Sequence, residues 1–136
     1  MTARRARRGA LALTLTAAVG VAGVAGVATA AKQTATKPPV KRNLTASGTA
    51  LAFNKKALTA PKGRVQLVLT NNAQLPHNVS IRGNGLAAKF GKTVNKGGVS
   101  KVTATVRPGK YTYFCDVGSH EAAGMKGTLT IPRPRR

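Results

Sequence analysis

Near the carboxy-terminal end of the chain, three side chains with metal-binding chemistry fall at even intervals. They are Cys115, His120 and Met125 in YTYFCDVGSHEAAGMKGTLTI, with four residues between each and the next. Cys115 is the only cysteine of the sequence. A thiolate, an imidazole and a thioether on one short loop suit a soft metal, and copper cycling between Cu(I) and Cu(II) most of all. The other histidine, His77, lies upstream in LPHNVSI, between two strand-like segments. Two imidazoles, one thiolate and a weak axial thioether make up a ligand set through which copper exchanges single electrons. Zinc is the minor option, because a thioether is a poor zinc ligand. The inert alternatives are a buried cysteine acting as a small hydrophobe and a methionine filling a gap in the core. The histidine between them on the same loop weighs against both.

These groups must be brought together by short elements, because Gly and Pro interrupt the chain throughout. Residues 49–53 and 56–59 read as early strands. Arg64 to Thr70 alternates, with Val65, Leu67 and Leu69 on one face. Asn71-Asn72 reads as a turn leading into the His77 loop, and residues 78–82 return to strand with Val79 and Ile81 on one face. Gly83 to Gly98 carries five glycines, which predicts an irregular loop with one helical turn near residues 86–90. Residues 99–106 predict a strand with Val102, Ala104 and Val106 on one face, and Arg107-Pro108-Gly109 a tight turn. Residues 110–115 form the strand that ends on the thiolate, and residues 126–131 close the sheet. Six to eight short strands without a convincing helix predict an all-β sandwich. With no Trp, its core rests on Val, Leu, Ile and Ala.

Before this domain, residues 1–30 read as a signal peptide. Arg4, Arg5, Arg7 and Arg8 are followed by an uncharged Ala/Val/Leu/Gly stretch, and Ala28-Thr29-Ala30 is a cleavage signal. The paired arginines fit a twin-arginine route and the absence of a bulky apolar pair after them fits the Sec route; both stay open. An uncleaved amino-terminal anchor is the rival to cleavage, since the uncharged run is long enough to span a bilayer. The reading is therefore an exported protein, periplasmic, cell-envelope or secreted. Residues 31–43 are basic and Pro-interrupted and read as a flexible linker. Residues 44–132 make the domain, and residues 133–136 a basic tail.

The segment around Cys115 resembles the carboxy-terminal ligand loop of the plastocyanin/azurin family of cupredoxins. Gly109, Tyr111, Tyr113 and Cys115 stand where that family has Gly-x-Tyr-x-Phe/Tyr-x-Cys. Gly127 and Leu129 match its final strand, and Pro76-His77-Asn78 matches the context of its first histidine. The loop spacing follows neither plastocyanin nor azurin fully, which leaves the subfamily open. The resemblance implies a Greek-key sandwich holding one type 1 copper ion through His77, Cys115, His120 and Met125. It further implies that Asn78 ties the two ligand loops together, with Asp116 as its partner. Electrons would pass through His120 across an apolar surface formed here by Leu75, Pro76, Gly118, Ala122 and Ala123.

Twenty-three basic and only two acidic residues give a net charge of +21. Both acids, Asp116 and Glu121, lie in the ligand loop. So large a charge favours an acidic redox partner, such as a cytochrome or an oxidase, and association with a membrane surface. Nucleic-acid binding is disfavoured by the export signal, the few aromatics for base stacking and the scattering of the basic residues. An enzyme is disfavoured because both histidines are used in one site, leaving none for a second copper with open coordination. The leading reading is a monomeric single-electron carrier. The alternative is a copper-binding protein that sequesters the metal without an electron partner.

Overall fold

Period-two alternation of apolar and polar residues places one face of each strand in a core and the other in solvent. The computed structural model describes residues 36–136, and the predicted signal peptide and the first residues of the predicted linker lie outside them. Eight strands fall among the described residues, and no helix: β1 Val40–Gly48, β2 Ala57–Thr59, β3 Gly63–Ala73, β4 Ser80–Gly83, β5 Leu86–Lys89, β6 Val99–Val106, β7 Gly109–Phe114 and β8 Lys126–Ile131. They form a three-stranded sheet in the order β1-β3-β6 and a five-stranded sheet in the order β2-β8-β7-β4-β5. The inward residues of both sheets make one apolar cluster, as in a cupredoxin-like β-sandwich. Val65, Leu67 and Leu69 of β3 lie beside Val102, Ala104 and Val106 of β6 in it, with Tyr111, Tyr113, Leu129 and Ile131 from the other sheet.

Four local expectations change. β1 begins at Val40, inside the stretch expected to be a linker, and runs parallel to β3 from Val40 beside Val65 to Gly48 beside Ala73. Its inward face is short, with only Leu44 and Ala46 fully buried, so the hydrophobic period is too weak to read. The expected strand over residues 49–53 is instead the crossing between sheets. Phe53 is buried with its ring 5.6 Å from that of Tyr113, and Asn54 closes the turn by donating its backbone N–H to the Thr45 carbonyl at 2.9 Å. The expected helical turn at residues 86–90 is strand β5, folded back on β4 through Gly83-Asn84-Gly85, all three with positive φ. Glycines at such positions favour a reversal of the chain over a helical turn.

The expected turn at Asn71-Asn72 is also strand. β3 continues through both to Ala73, so the inward parity of Val65, Leu67 and Leu69 carries on to Asn71 and Ala73. This extension delivers the chain to the end of the sandwich where the cysteine-bearing strand also finishes.

Candidate metal centre

Cys115 follows β7 directly, and its backbone N–H donates to the Met125 carbonyl at 3.1 Å, across the neck of the loop that both residues bound. Inside the loop, His120 N–H donates to Val117 O at 3.1 Å, Ala123 N–H to Ser119 O at 3.0 Å and Met125 N–H to His120 O at 2.9 Å. These short-range bonds wind residues 117–125 into consecutive turns and fix where the His120 and Met125 side chains start. Met125 is fully buried.

His77 is fixed from the other side by a two-bond bridge to Val94: N–H to O at 3.0 Å one way and 2.9 Å the other. Val94 is held in turn by Asn71, whose fully buried amide donates to the carbonyls of Leu75 and Val94, both at 2.9 Å. The Asn71 side-chain oxygen, Oδ1, accepts from the Ala73 N–H at 3.0 Å. Asn71 was not singled out from the sequence. The signal was its parity on β3, which puts a polar side chain on the buried face, where it must find partners.

The outcome is convergence. His77 Nδ1 lies 3.8 Å from Cys115 Sγ, His120 Nδ1 lies 3.6 Å from the same sulfur, and the two Nδ1 atoms are 3.2 Å apart. Metal–nitrogen bonds of about 2.0–2.1 Å and a metal–sulfur bond of about 2.3 Å, spread in a plane, place their donors roughly 3.5–3.8 Å apart. Both nitrogen–sulfur sides have the dimensions of a trigonal His2Cys site and the nitrogen–nitrogen side is a few tenths of an ångström shorter; the buried thioether of Met125 completes the donor set. His77 and Cys115 are almost wholly buried, while His120 is only half-buried.

Electrostatics points the same way. Burial pushes the Cys115 thiol up, against the N–H groups of Asn78 and Val117 that favour its thiolate. Burial also pushes the His77 imidazole down, helped by the neighbouring His120. The pocket disfavours both a bare thiolate and an imidazolium, so a bound cation supplies the missing compensation for the sulfur.

Asn78 links the two ligand segments. Its backbone N–H points to Cys115 Sγ at 3.5 Å, and its side-chain oxygen accepts from the Asp116 N–H at 3.0 Å. Its amide nitrogen donates to the Asp116 carboxylate, and to Gly91 O and Thr93 Oγ1 at 3.3 Å each. Gly91 is required by close approach, since a Cβ there would lie 2.4 Å from the Val79 carbonyl oxygen. The second acid, Glu121, is held below its usual range by Arg82, with which it forms a two-pronged ion pair at 2.5 and 3.0 Å. Sequence reading noted both acids in the loop but had no signal for the Arg82 partner. Leu75, Pro76, Gly118, Ala122 and Ala123 are all exposed on the loops that carry His77 and His120.

Residues 40–132 match the family model described as copper binding proteins of the plastocyanin/azurin family. The chain is 33% identical over 95 residues to a plastocyanin of Scenedesmus fuscus, covering 65% of this chain and 94% of that protein. Among solved structures it is similar to auracyanin B, at 27% identity and a TM-score of 0.61 over 71% of this chain and 91% of the other. Auracyanin A of Chloroflexus aurantiacus is similar at 26% identity and a TM-score of 0.58, over 69% and 99% of the two chains. With the donor triangle, these matches identify the group held by His77, Cys115, His120 and Met125 as one type 1 copper ion. The chain belongs to the plastocyanin/azurin family of copper-binding proteins.

Proposed function

We propose that this protein is an exported, non-enzymatic carrier of single electrons between redox proteins, with an acidic partner docking over the His120 edge. The observation that carries the reading is the triangle of His77 Nδ1, Cys115 Sγ and His120 Nδ1, closed on sides of 3.2–3.8 Å. Copper, when bound, supplies the one-electron couple. The residues of the chain supply rigidity. Val94 and Asn71 hold His77, the turns of residues 117–125 hold His120 and Met125, and Asn78 joins Cys115 to the His77 segment. Ligands held this way change little when an electron arrives or leaves, so little reorganisation opposes the transfer. Auracyanin A, a similar protein, is described as a "blue" copper protein.

Among the four ligands, His120 alone is not fully buried, which makes its ring edge the natural exit. The exposed small and apolar residues Leu75, Pro76, Gly118, Ala122 and Ala123 lie on the adjoining loops and allow close approach. The histidine count supports a carrier over an enzyme, since both histidines are committed to one centre. Stopped-flow reduction by an acidic cytochrome tests the partner. The rate is expected to fall steeply as salt is added, because attraction between exposed opposite charges is screened beyond about 10 Å at 0.1 M ionic strength. A rate independent of salt would contradict it.

A further inference from the structure

The side chain of Arg82 touches the residues next to two of the ligands, Glu121 beside His120 and Phe114 beside Cys115. Its strand, β4, continues the segment that carries His77 and Asn78. Its guanidinium donates two bonds to Glu121, the residue immediately after His120: Nη1 to Oε2 at 3.0 Å and Nη2 to Oε1 at 2.5 Å. The same guanidinium lies 4.2 Å from the ring centroid of Phe114, the residue immediately before Cys115. The planar fork of an arginine fixes a carboxylate in two directions at once, which a point charge cannot do. In a chain with 23 basic residues and two acidic ones, a carboxylate beside a ligand is scarce. Arg82 is the hydrogen-bonded partner of Glu121, with Lys126 acting on the carboxylate by charge alone, and both side chains of the pair are partly shielded, at 43% and 28% exposure.

We propose that Arg82 is a positioning residue for the copper ligands, and that its pairing with Glu121 keeps the charge beside His120 balanced. The inference rests on the copper reading of the site but not on the identity or acidity of any partner. The fork limits how far the His120 loop moves from β4, and the stack on Phe114 holds the end of β7 against the same strand. Electrically, the pair is neutral. Removing one half leaves a bare charge next to the loop, and the reduced site carries one positive charge fewer than the oxidised site. An unpaired cation therefore favours the reduced state, and an unpaired anion the oxidised state.

The test uses copper-loaded protein at low salt and four variants: Glu121→Gln, Arg82→Gln, the double variant and Arg82→Lys. Voltammetry is expected to show a raised potential for Glu121→Gln, a lowered one for Arg82→Gln, and a return towards wild type in the double variant. Hydrogen exchange at the Ala123 and Gly124 amides, which are bonded within the loop, is expected to be about fivefold faster in both single variants, the scale of one partly exposed ion pair. Arg82→Lys keeps the cation without the fork, so its potential should stay near wild type while its loop exchanges as fast as in Arg82→Gln. A general loss of packing would move both potentials the same way. Shifts of equal sign, unchanged potentials, or full loop protection in Arg82→Lys would overturn the proposal. Failure of the copper reading itself would appear differently, as wild-type protein without an intense thiolate-to-copper band.

Discussion

At the scale of single residues, Cys115 and Met125 are separable by experiment. The sulfur of Cys115 is the donor that both Nδ1 atoms face, at 3.6 and 3.8 Å. Cys115→Ser is therefore expected to abolish the strong visible band of the copper protein. Met125 is buried and expected to be the weak axial donor, so Met125→Leu should keep the colour and raise the potential. Voltammetry and absorption on the two variants check this together. Tyr113 carries a pH dependence of its own. Burial pushes its phenol up to about 12 from 10.0, and its hydroxyl donates to the Lys55 carbonyl at 2.6 Å. Between those pH values the unfolded chain has lost a proton that the folded chain retains. Its contribution to stability is thus full below pH 10 and declines as pH rises towards 12, by about 1.4 kcal/mol per unit. Urea unfolding of the copper-loaded protein should show this slope in the wild type and a shallower one in Tyr113→Phe.

At the scale of elements, the buried amide of Asn71 connects strand to site. Replacing it with Ala leaves the buried Ala73 N–H without this acceptor, the Leu75 carbonyl without its donor and the Val94 carbonyl with the His77 N–H alone, at a cost on the order of 1–3 kcal/mol. Copper affinity should fall with it, since the His77–Val94 bridge loses its support; equilibrium unfolding and a competitive copper titration measure the two effects. The same residue shows where the sequence could be read and where it could not. The alternation of Val65, Leu67 and Leu69 was plain, and so were β6, β7 and β8, because each has an apolar residue at every second place. Reading Asn71-Asn72 as a turn used residue preference where parity was the better guide. β1 and β5 escaped because few of their residues are buried, so pairing with neighbours, rather than an apolar face, makes them strands. The four ligands were legible because their chemistry is rare in this chain. The Val94 bridge and the Arg82 fork were not, because both join residues remote in sequence without a pattern in either segment.

At the scale of the whole molecule, charge dominates. Twenty-three basic residues are set against two acidic side chains, giving +21, and both acids are engaged next to the copper ligands, Asp116 by Asn78 and Glu121 by Arg82. Two copies of the protein therefore repel, while an acidic partner is attracted. Electron self-exchange between copies is expected to speed up as salt is added, the reverse of the reaction with an acidic cytochrome. Line broadening in mixtures of the two oxidation states measures the first. Self-exchange that slows with salt would mean that the exposed loops around His120 meet through opposite charges.

The convergence of two imidazoles and one thiolate on a single ion is tested most directly by optical titration of metal-free protein with Cu(II). The expected result is an intense band near about 600 nm, where Cu(II)–thiolate sites of this geometry absorb, rising linearly and stopping at one equivalent. A weak spectrum without that band, or one that keeps growing beyond one equivalent, would contradict a single centre built by His77, Cys115 and His120.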